Sequence, residues 1–431
     1  MPCRCRCRRG DGYATSFPGT GVIDMPDRRA VIAGMGALTL AACTRDLAQT
    51  DTTLSAALDE AAQRPPREAL ARLAGFDSRM LPASQRLDLV TARAGLAIDT
   101  QLAALPTQGK AGGYRPLPGT GRIEPGHYAL LLARPLGPVD PRAAQARLMR
   151  TLAALHTRAA VQFAAIGLPT GSIGERYGRL WQDERFLYAD PAAAVAAMAR
   201  TLADARARIP TTIGPVPGWC TDVIVRSLTP EEVAAGRNGY RIVPGPSQQG
   251  AYIVDLKQLR RRPAWTLPSV VAHELLPGHM VQLGLEGIVP PHPLRIDYAA
   301  SFIEGWGIHA EALAADDGAF TDPHAMLGHL HWLIFRVARA LVDLGIHLDG
   351  WSLDDARARL DGWQGEAAYF APFATELPRI AAEPAVRAAE AMAWLAIADA
   401  VDDRRGAARV AVHQRLLRHG RMRTDAIGNV S

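Results

Sequence analysis

Between Ser269 and Gln282 the chain reads SVVAHELLPGHMVQ, and the Pro-Gly pair inside it constrains the fold more than any other feature. The surrounding residues are helical in pattern, yet a proline lacks the N–H of the helical ladder and clashes with the carbonyl four residues back. A regular helix therefore cannot run through Pro277 and Gly278. His273 and Glu274 precede the interruption and His279 follows it. A His followed at once by Glu, with a second His within two helical turns, is the arrangement in which imidazoles hold zinc and the adjacent carboxylate activates water. The usual spacing is HExxH. Here the second His comes six positions after the first, a rotation of about 600° on an ideal helix, which leaves the two rings on different faces. A bulged turn at Pro277 and Gly278 would bring His279 back toward His273. Glu274 sits about 100° around the helix from His273, so it is expected outside the ligand set, as general base.

Glu304 stands twenty-five residues after His279 in the segment FIEGWGIHAEAL. A downstream Glu on a second helix is the third ligand expected of a His2Glu catalytic zinc, with the fourth position open to water. Glu304 and Glu311 share one helical face at a spacing of seven. Gly305 and Trp306 imply tight packing around Glu304, which favours it as the ligand. Glu311 then orients a ligand from behind or substitutes for one, and His309 and Asp343 are further candidates for either task.

The stretch from Pro323 to Ile346 is apolar nearly all round except for a stripe of Arg336, Arg339 and Asp343, continued by His347. Such a helix must be largely buried. Charges on it must be paired internally or face a wet cavity, because burying them alone costs several kcal/mol each. One reading is an Arg339–Asp343 ion pair at i,i+4 that joins helices. The other makes His347 or Arg339 a donor to a substrate carbonyl or oxyanion. His324, His329, His331, His127, His156, His413 and His419 lack such support and are expected to be structural.

Helix signals dominate elsewhere. Asp190 with Pro191 opens a helix ending near Pro210, Thr229 with Pro230 opens a short one ended by Gly236, and Ser352 with Asp355 resembles a capping box. Only 6% of residues are aromatic, and Ala-rich runs suggest close-packed helices. The expected class is mainly α, with a small β element at Tyr240 to Val243 and Ala251 to Leu256 just before the zinc helix. Ala251 to Leu256 could serve as an edge strand on which an extended peptide adds. No linker divides residues 43–431, so one helical domain is expected, with its zinc site within residues 269–347.

The formal charge is +5, but residues 1–42 hold six Arg against three Asp, leaving 42 basic and 40 acidic side chains on the rest. With Lys only at 110 and 257 and no basic stripe, no nucleic-acid partner is expected. From Met25, the expected true start, the sequence runs MPDRRAVIAGMGALTLAACTRD: a charged stretch, an apolar run, then small residues before Cys43. The quartet LAAC resembles a bacterial lipobox and the Arg pair a twin-arginine signal, so residues 1–42 read as a leader and Cys43 as the lipidated first residue of an exported envelope protein. The apolar run, from Ala30 to Ala42, is short of the roughly 20 residues a spanning helix needs.

The segments GAYIVD from Gly250, HELLPGHMVQ, EGWGIHAEAL and RALVDLGIH with Gly350 and Trp351 together resemble the bacterial proteins grouped under domain of unknown function 885, which look like zinc metallopeptidases of the gluzincin kind. HELLPGH is also similar to the HELLGH motif of dipeptidyl peptidase III. The resemblance implies that His273, His279 and Glu304 bind zinc and that Glu274 is the base. Three positions depart from the family pattern: Met280 replaces a His, His309 a Tyr, and Glu390 falls where the family has a C-terminal Tyr. The resulting expectation is a zinc-dependent hydrolase of peptides or small amides, attached to a membrane by its lipid. The alternatives are a non-catalytic envelope lipoprotein with a structural metal or none, and a redox iron protein in which Glu274 would have no duty.

Overall fold

The computed structural model describes residues 53–105 and 123–430; the expected leader, with Met25 and Cys43, lies outside them. The described chain is mainly helical with one three-stranded sheet. The elements that concern the site are helices α1 (Pro125–Leu136), α2 (Pro141–Ala165) and α3 (Pro191–Thr212), strands β1 (Val223–Ser227), β2 (Tyr240–Ile242) and β3 (Gly250–Val254), and then helices α4 (Leu267–Glu274), α5 (His279–Glu286), α6 (Ser301–Asp316), α7 (Pro323–Leu344), α8 (Phe373–Ala382), α9 (Val386–Val401) and α10 (Gly406–His419). Among the described residues no helix is long and apolar enough to cross a membrane.

Several starts are set by side chains that satisfy orphan N–H groups of the first turn. Asp190 accepts from the Ala193 amide ahead of α3. Thr229 with Glu232 and Ser352 with Asp355 form reciprocal capping boxes for the helices Pro230–Ala234 and Leu353–Trp363. Gly236 carries a φ of 69° just past the first of these, a conformation in which a Cβ would be strained.

Helix α7 is buried at every position from Leu327 to Leu344, as its all-round apolar pattern requires. It packs along α2, while α9 lies against both α6 and α7. Leu148, Leu152 and Leu155 of α2, Leu330, Ile334 and Leu341 of α7 and Ala389 and Ala393 of α9 form the continuous core between them. After Leu344 the helix widens into a π-turn, Gly345–Asp349, closed by Gly350 in the left-handed region. Gly345 is required there because a Cβ would lie 2.1 Å from the Trp351 ring.

The sheet order is β1-β3-β2, with β1 parallel and β2 antiparallel to β3. The expected β element thus gains a third strand, VIVRS at Val223–Ser227. This corrects the expectation that Ala251 to Leu256 is a free edge: β3 is central and buried at all five positions, so both its hydrogen-bonding sides are taken. The edge strands are β1 and β2, and the register of β2 places Arg241 opposite Tyr252.

Candidate metal centre

Helix α4 ends at Glu274 because Leu275 leaves helical geometry (φ −111°, ψ −93°) and a cis Leu276–Pro277 peptide follows. The chain restarts as α5 at His279. The interruption is thus a full turn between two helices rather than a bulge within one. Gly278 allows it, since a Cβ there would fall 1.9 Å from the His273 carbonyl oxygen. Trp306 Nε1 donates to the Pro277 carbonyl at 3.1 Å, tying the turn to α6.

This turn brings His279 Nε2 to 3.1 Å from His273 Nε2. Glu304, on the first turn of α6, places Oε2 3.5 Å from His273 Nε2 and Oε1 3.6 Å from His279 Nε2. All three residues are buried. Ligands about 2.05 Å from a zinc ion at tetrahedral angles stand about 3.3 Å apart, so the three donor atoms have the spacing such an ion requires. Among the described residues this is the one group of three or more His, Cys, Asp or Glu side chains with converging donor atoms.

His273 Nδ1 lies 2.7 Å from Glu311 Oε1, and Ser269 Oγ donates to the other Glu311 oxygen at 2.7 Å. Glu311 therefore stands behind His273, outside the trio. Gly307 lets α6 approach: a Cβ there would be 2.6 Å from His273 Cε1.

Two arginines flank the trio. Arg336 Nη1 donates to Glu304 Oε2 at 3.2 Å and Nη2 lies 3.2 Å from His273 Nε2. Arg241, on β2, pairs with the Glu274 carboxylate. These charges set the protonation of the site. Burial raises the Glu274 and Glu304 pKa, but Arg241 acting on Glu274, and both histidines with Arg336 acting on Glu304, outweigh it and hold each carboxylate below its usual range. Burial and Arg241 push His279 down to about 4. Burial and Arg336 also disfavour the charged form of His273, yet Glu304 and Glu311 outweigh them and raise it to about 9. The Arg336 contact to His273 Nε2 fits only the neutral ring. A proton and the guanidinium thus compete for one lone pair, the one a metal ion would take.

The other expected residues are engaged elsewhere. Arg339 donates to Glu376 at 2.8 Å and pairs with Glu390 at 3.5 Å. It does not pair with Asp343. Asp343 instead accepts from the Ala385 and Ala388 amides at 2.9 and 3.1 Å and from the Tyr128 hydroxyl at 3.1 Å, so its carboxylate caps the N-terminus of α9 and is no alternate ligand. His347 Nε2 lies 3.2 Å from the Ile380 carbonyl oxygen and 3.8 Å from Asp343. His309 Nε2 faces His413 Nε2 at 3.0 Å beside Trp306. Met280 is buried in the core around α3 and α6. Of the charged stripe it is Arg336, one helical turn before Arg339, that faces the trio. Arg241 gave no local signal, because only the sheet register brings a strand residue to Glu274.

Over residues 30–426 the chain matches the family described as bacterial protein of unknown function (DUF885). No curated protein matches it. Among solved structures it is similar to a candidate lipoprotein from Colwellia psychrerythraea, at 22% identity and a TM-score of 0.63, over 90% of this chain and 71% of that one. It is also similar to a candidate lipoprotein of unknown function from Shewanella oneidensis, at 16% identity and a TM-score of 0.60, over 88% of this chain and 73% of that one. At such identities the likeness is one of fold.

Proposed function

The chain belongs to the DUF885 family of bacterial proteins, and from its buried His2Glu trio we propose that it is a zinc-dependent hydrolase of peptide or related amide bonds. The observation that carries this reading is the spacing of the three donor atoms, 3.1 to 3.6 Å, beside a carboxylate that belongs to none of the ligands. His273, His279 and Glu304 would hold the zinc, which would supply Lewis acidity toward a carbonyl oxygen and a bound water. Glu274, kept ionised by Arg241, takes up the proton at its carboxylate and passes it to the leaving nitrogen. Glu311 accepts a hydrogen bond from His273 Nδ1–H, which fixes the tautomer with its lone pair on Nε2, the nitrogen that would ligate zinc. Arg336 holds Glu304 and is the cation best placed to stabilise negative charge developing on the carbonyl oxygen.

We further propose that the protein works at the cell envelope, anchored by a lipid on Cys43. The LAAC quartet supports this, and the two similar structures from Colwellia psychrerythraea and Shewanella oneidensis are described as candidate lipoproteins.

The test is metal analysis of the purified protein joined to a screen of short peptides, amides and esters. About one zinc per chain is expected, with hydrolysis lost on chelation and regained when zinc is restored. Stoichiometric zinc with no substrate cleaved would reduce the trio to a structural metal site in a non-catalytic protein.

A further inference from the structure

Arg262 is a buried charge that the proposed chemistry leaves unused. It ends the 3-10 turn Leu259–Arg261 just ahead of α4 and is 2% exposed. Its Nε and Nη2 have no hydrogen-bond partner. Among the described residues no carboxylate pairs with it, whereas the comparably buried Arg295, Arg336, Arg339 and Arg387 each have one. Burying a guanidinium without a counter-charge is costly, so the position reads as half of an ion pair whose other half comes from outside the described chain.

The surroundings say which anion fits. The guanidinium carbon lies 3.3 Å from the centre of the Tyr369 ring, an arrangement that fixes the plane of the fork while Nε–H and Nη2–H stay without a partner. Tyr252, from the central strand, stands opposite Arg241, the residue paired with the Glu274 carboxylate, and both Tyr252 and Tyr369 feel the charges of Arg262 and Glu274. Tyr252 is buried and Tyr369 half-buried, and desolvation raises the pKa of both phenols, so both hydroxyls can donate to an anion. Tyr369 also lines a cavity of about 240 Å³ shared with Gly239, Asp255, Lys257 and Phe370. One unpaired guanidinium, with Glu274 and Asp255 nearby, suits a singly charged planar anion better than a phosphate dianion. A carboxylate matches the fork in shape and charge.

We propose that Arg262 receives the terminal α-carboxylate of a peptide substrate, making the chain a hydrolase that acts close to the free C-terminus of short peptides. This inference rests on the hydrolase reading above and narrows its substrate class.

The test uses binding, so that it does not depend on turnover. The zinc-loaded Glu274→Gln protein is titrated by calorimetry with Ala-Ala-Ala, with its C-terminal amide, and with Ala-Ala-Glu amide. The free acid should bind on the order of 10- to 100-fold more tightly than Ala-Ala-Ala amide, the range of a charge-assisted fork. Arg262→Gln in the same background should erase that preference with zinc content unchanged, and Arg262→Lys should restore part of it. Equal binding of acid and amide, no binding of any free acid at millimolar concentration, or a preference that survives Arg262→Gln would overturn the proposal. Ala-Ala-Glu amide binding as well as the free acid would assign Arg262 to a side-chain carboxylate and overturn the terminal reading. Should Arg262→Gln fail to fold, the acid and amide comparison with Arg262 intact still decides. Acid preference without hydrolysis by the Glu274 protein counts against the hydrolase alone, and hydrolysis without acid preference counts against this inference alone.

Discussion

His273 has two ring nitrogens with separate tasks. Nδ1 is committed to Glu311 at 2.7 Å, and Nε2 faces His279 and Glu304. A carboxylate behind a ligating imidazole fixes its tautomer and raises its basicity. Glu311→Gln keeps the size and removes the charge, so zinc affinity should fall by about 10- to 100-fold, as carboxylates of this kind usually contribute. Competition against a chromogenic chelator measures it, and an unchanged affinity would show that the charge of Glu311 does no such work. The His273→Ala and His279→Ala variants should each lose zinc outright, because two protein ligands make an incomplete site. Glu274 separates chemistry from binding. Glu274→Gln should retain zinc and melting temperature while peptide hydrolysis falls by about two to four orders of magnitude, the usual worth of a general base. Retained hydrolysis in that variant, with zinc bound, would end the mechanism proposed here.

At the scale of elements, the site depends on close backbone approach. Helix α6 reaches the His273 ring only because residue 307 is Gly, and an added methyl would meet Cε1 at 2.6 Å. That atom belongs to a ring held by Glu311, so it cannot swing aside freely. Gly307→Ala is therefore expected to weaken zinc binding while far-UV circular dichroism stays helical, since Ala favours a helix more than Gly does. On α7 a different consequence follows. His331 is buried among Tyr177, Trp181 and Trp265 with Nε2 3.2 Å from the Glu366 carbonyl oxygen, and burial lowers its pKa from 6.5 to about 3. The folded state thus binds fewer protons there than the unfolded chain. This contribution to stability is present above about 6.5 and is lost as the pH falls toward about 3. His331→Gln should flatten the dependence of unfolding free energy on pH in that window by up to about 1.4 kcal/mol per pH unit, one proton's worth. Denaturant melts at several pH values would show an unaltered slope if His331 were already charged in the fold.

For the whole molecule, buried charge ties the helices together around the trio. Arg336 of α7 holds Glu304 of α6, and Arg339 of α7 shares Glu376 of α8 and Glu390 of α9 with Arg387. Removing one partner of such a network strands the others, which is why truncation there costs about 3–5 kcal/mol where exposed pairs cost little. Arg339→Met should thus lower stability with little change in zinc content, checked by thermal melts and metal analysis together; loss of zinc at full stability would return Arg339 to the site. The proposed attachment to a membrane belongs to this scale as well. Cys43→Ala should shift the protein from the membrane fraction to soluble or unprocessed material, and unaltered membrane attachment would remove the lipobox reading.

The sequence by itself determined the helical class, the buried character of α7, the capped starts of α3 and the helix Leu353–Trp363, and the choice of His273, His279 and Glu304 as side chains whose donor atoms meet. These follow from residue chemistry at short spacing, where the helical period and the Pro-Gly break decide which side chains share a face. What only the tertiary structure decided is which faces meet. Arg241 reaches Glu274 from a strand 33 residues earlier, and Asp343 caps a helix 42 residues later. Arg336, not Arg339, faces the trio. Each of these pairings depends on how α6, α7, α9 and the sheet pack against one another. Spacing along the chain carries no such information, because the free energy that selects a packing is summed over many distant contacts at once.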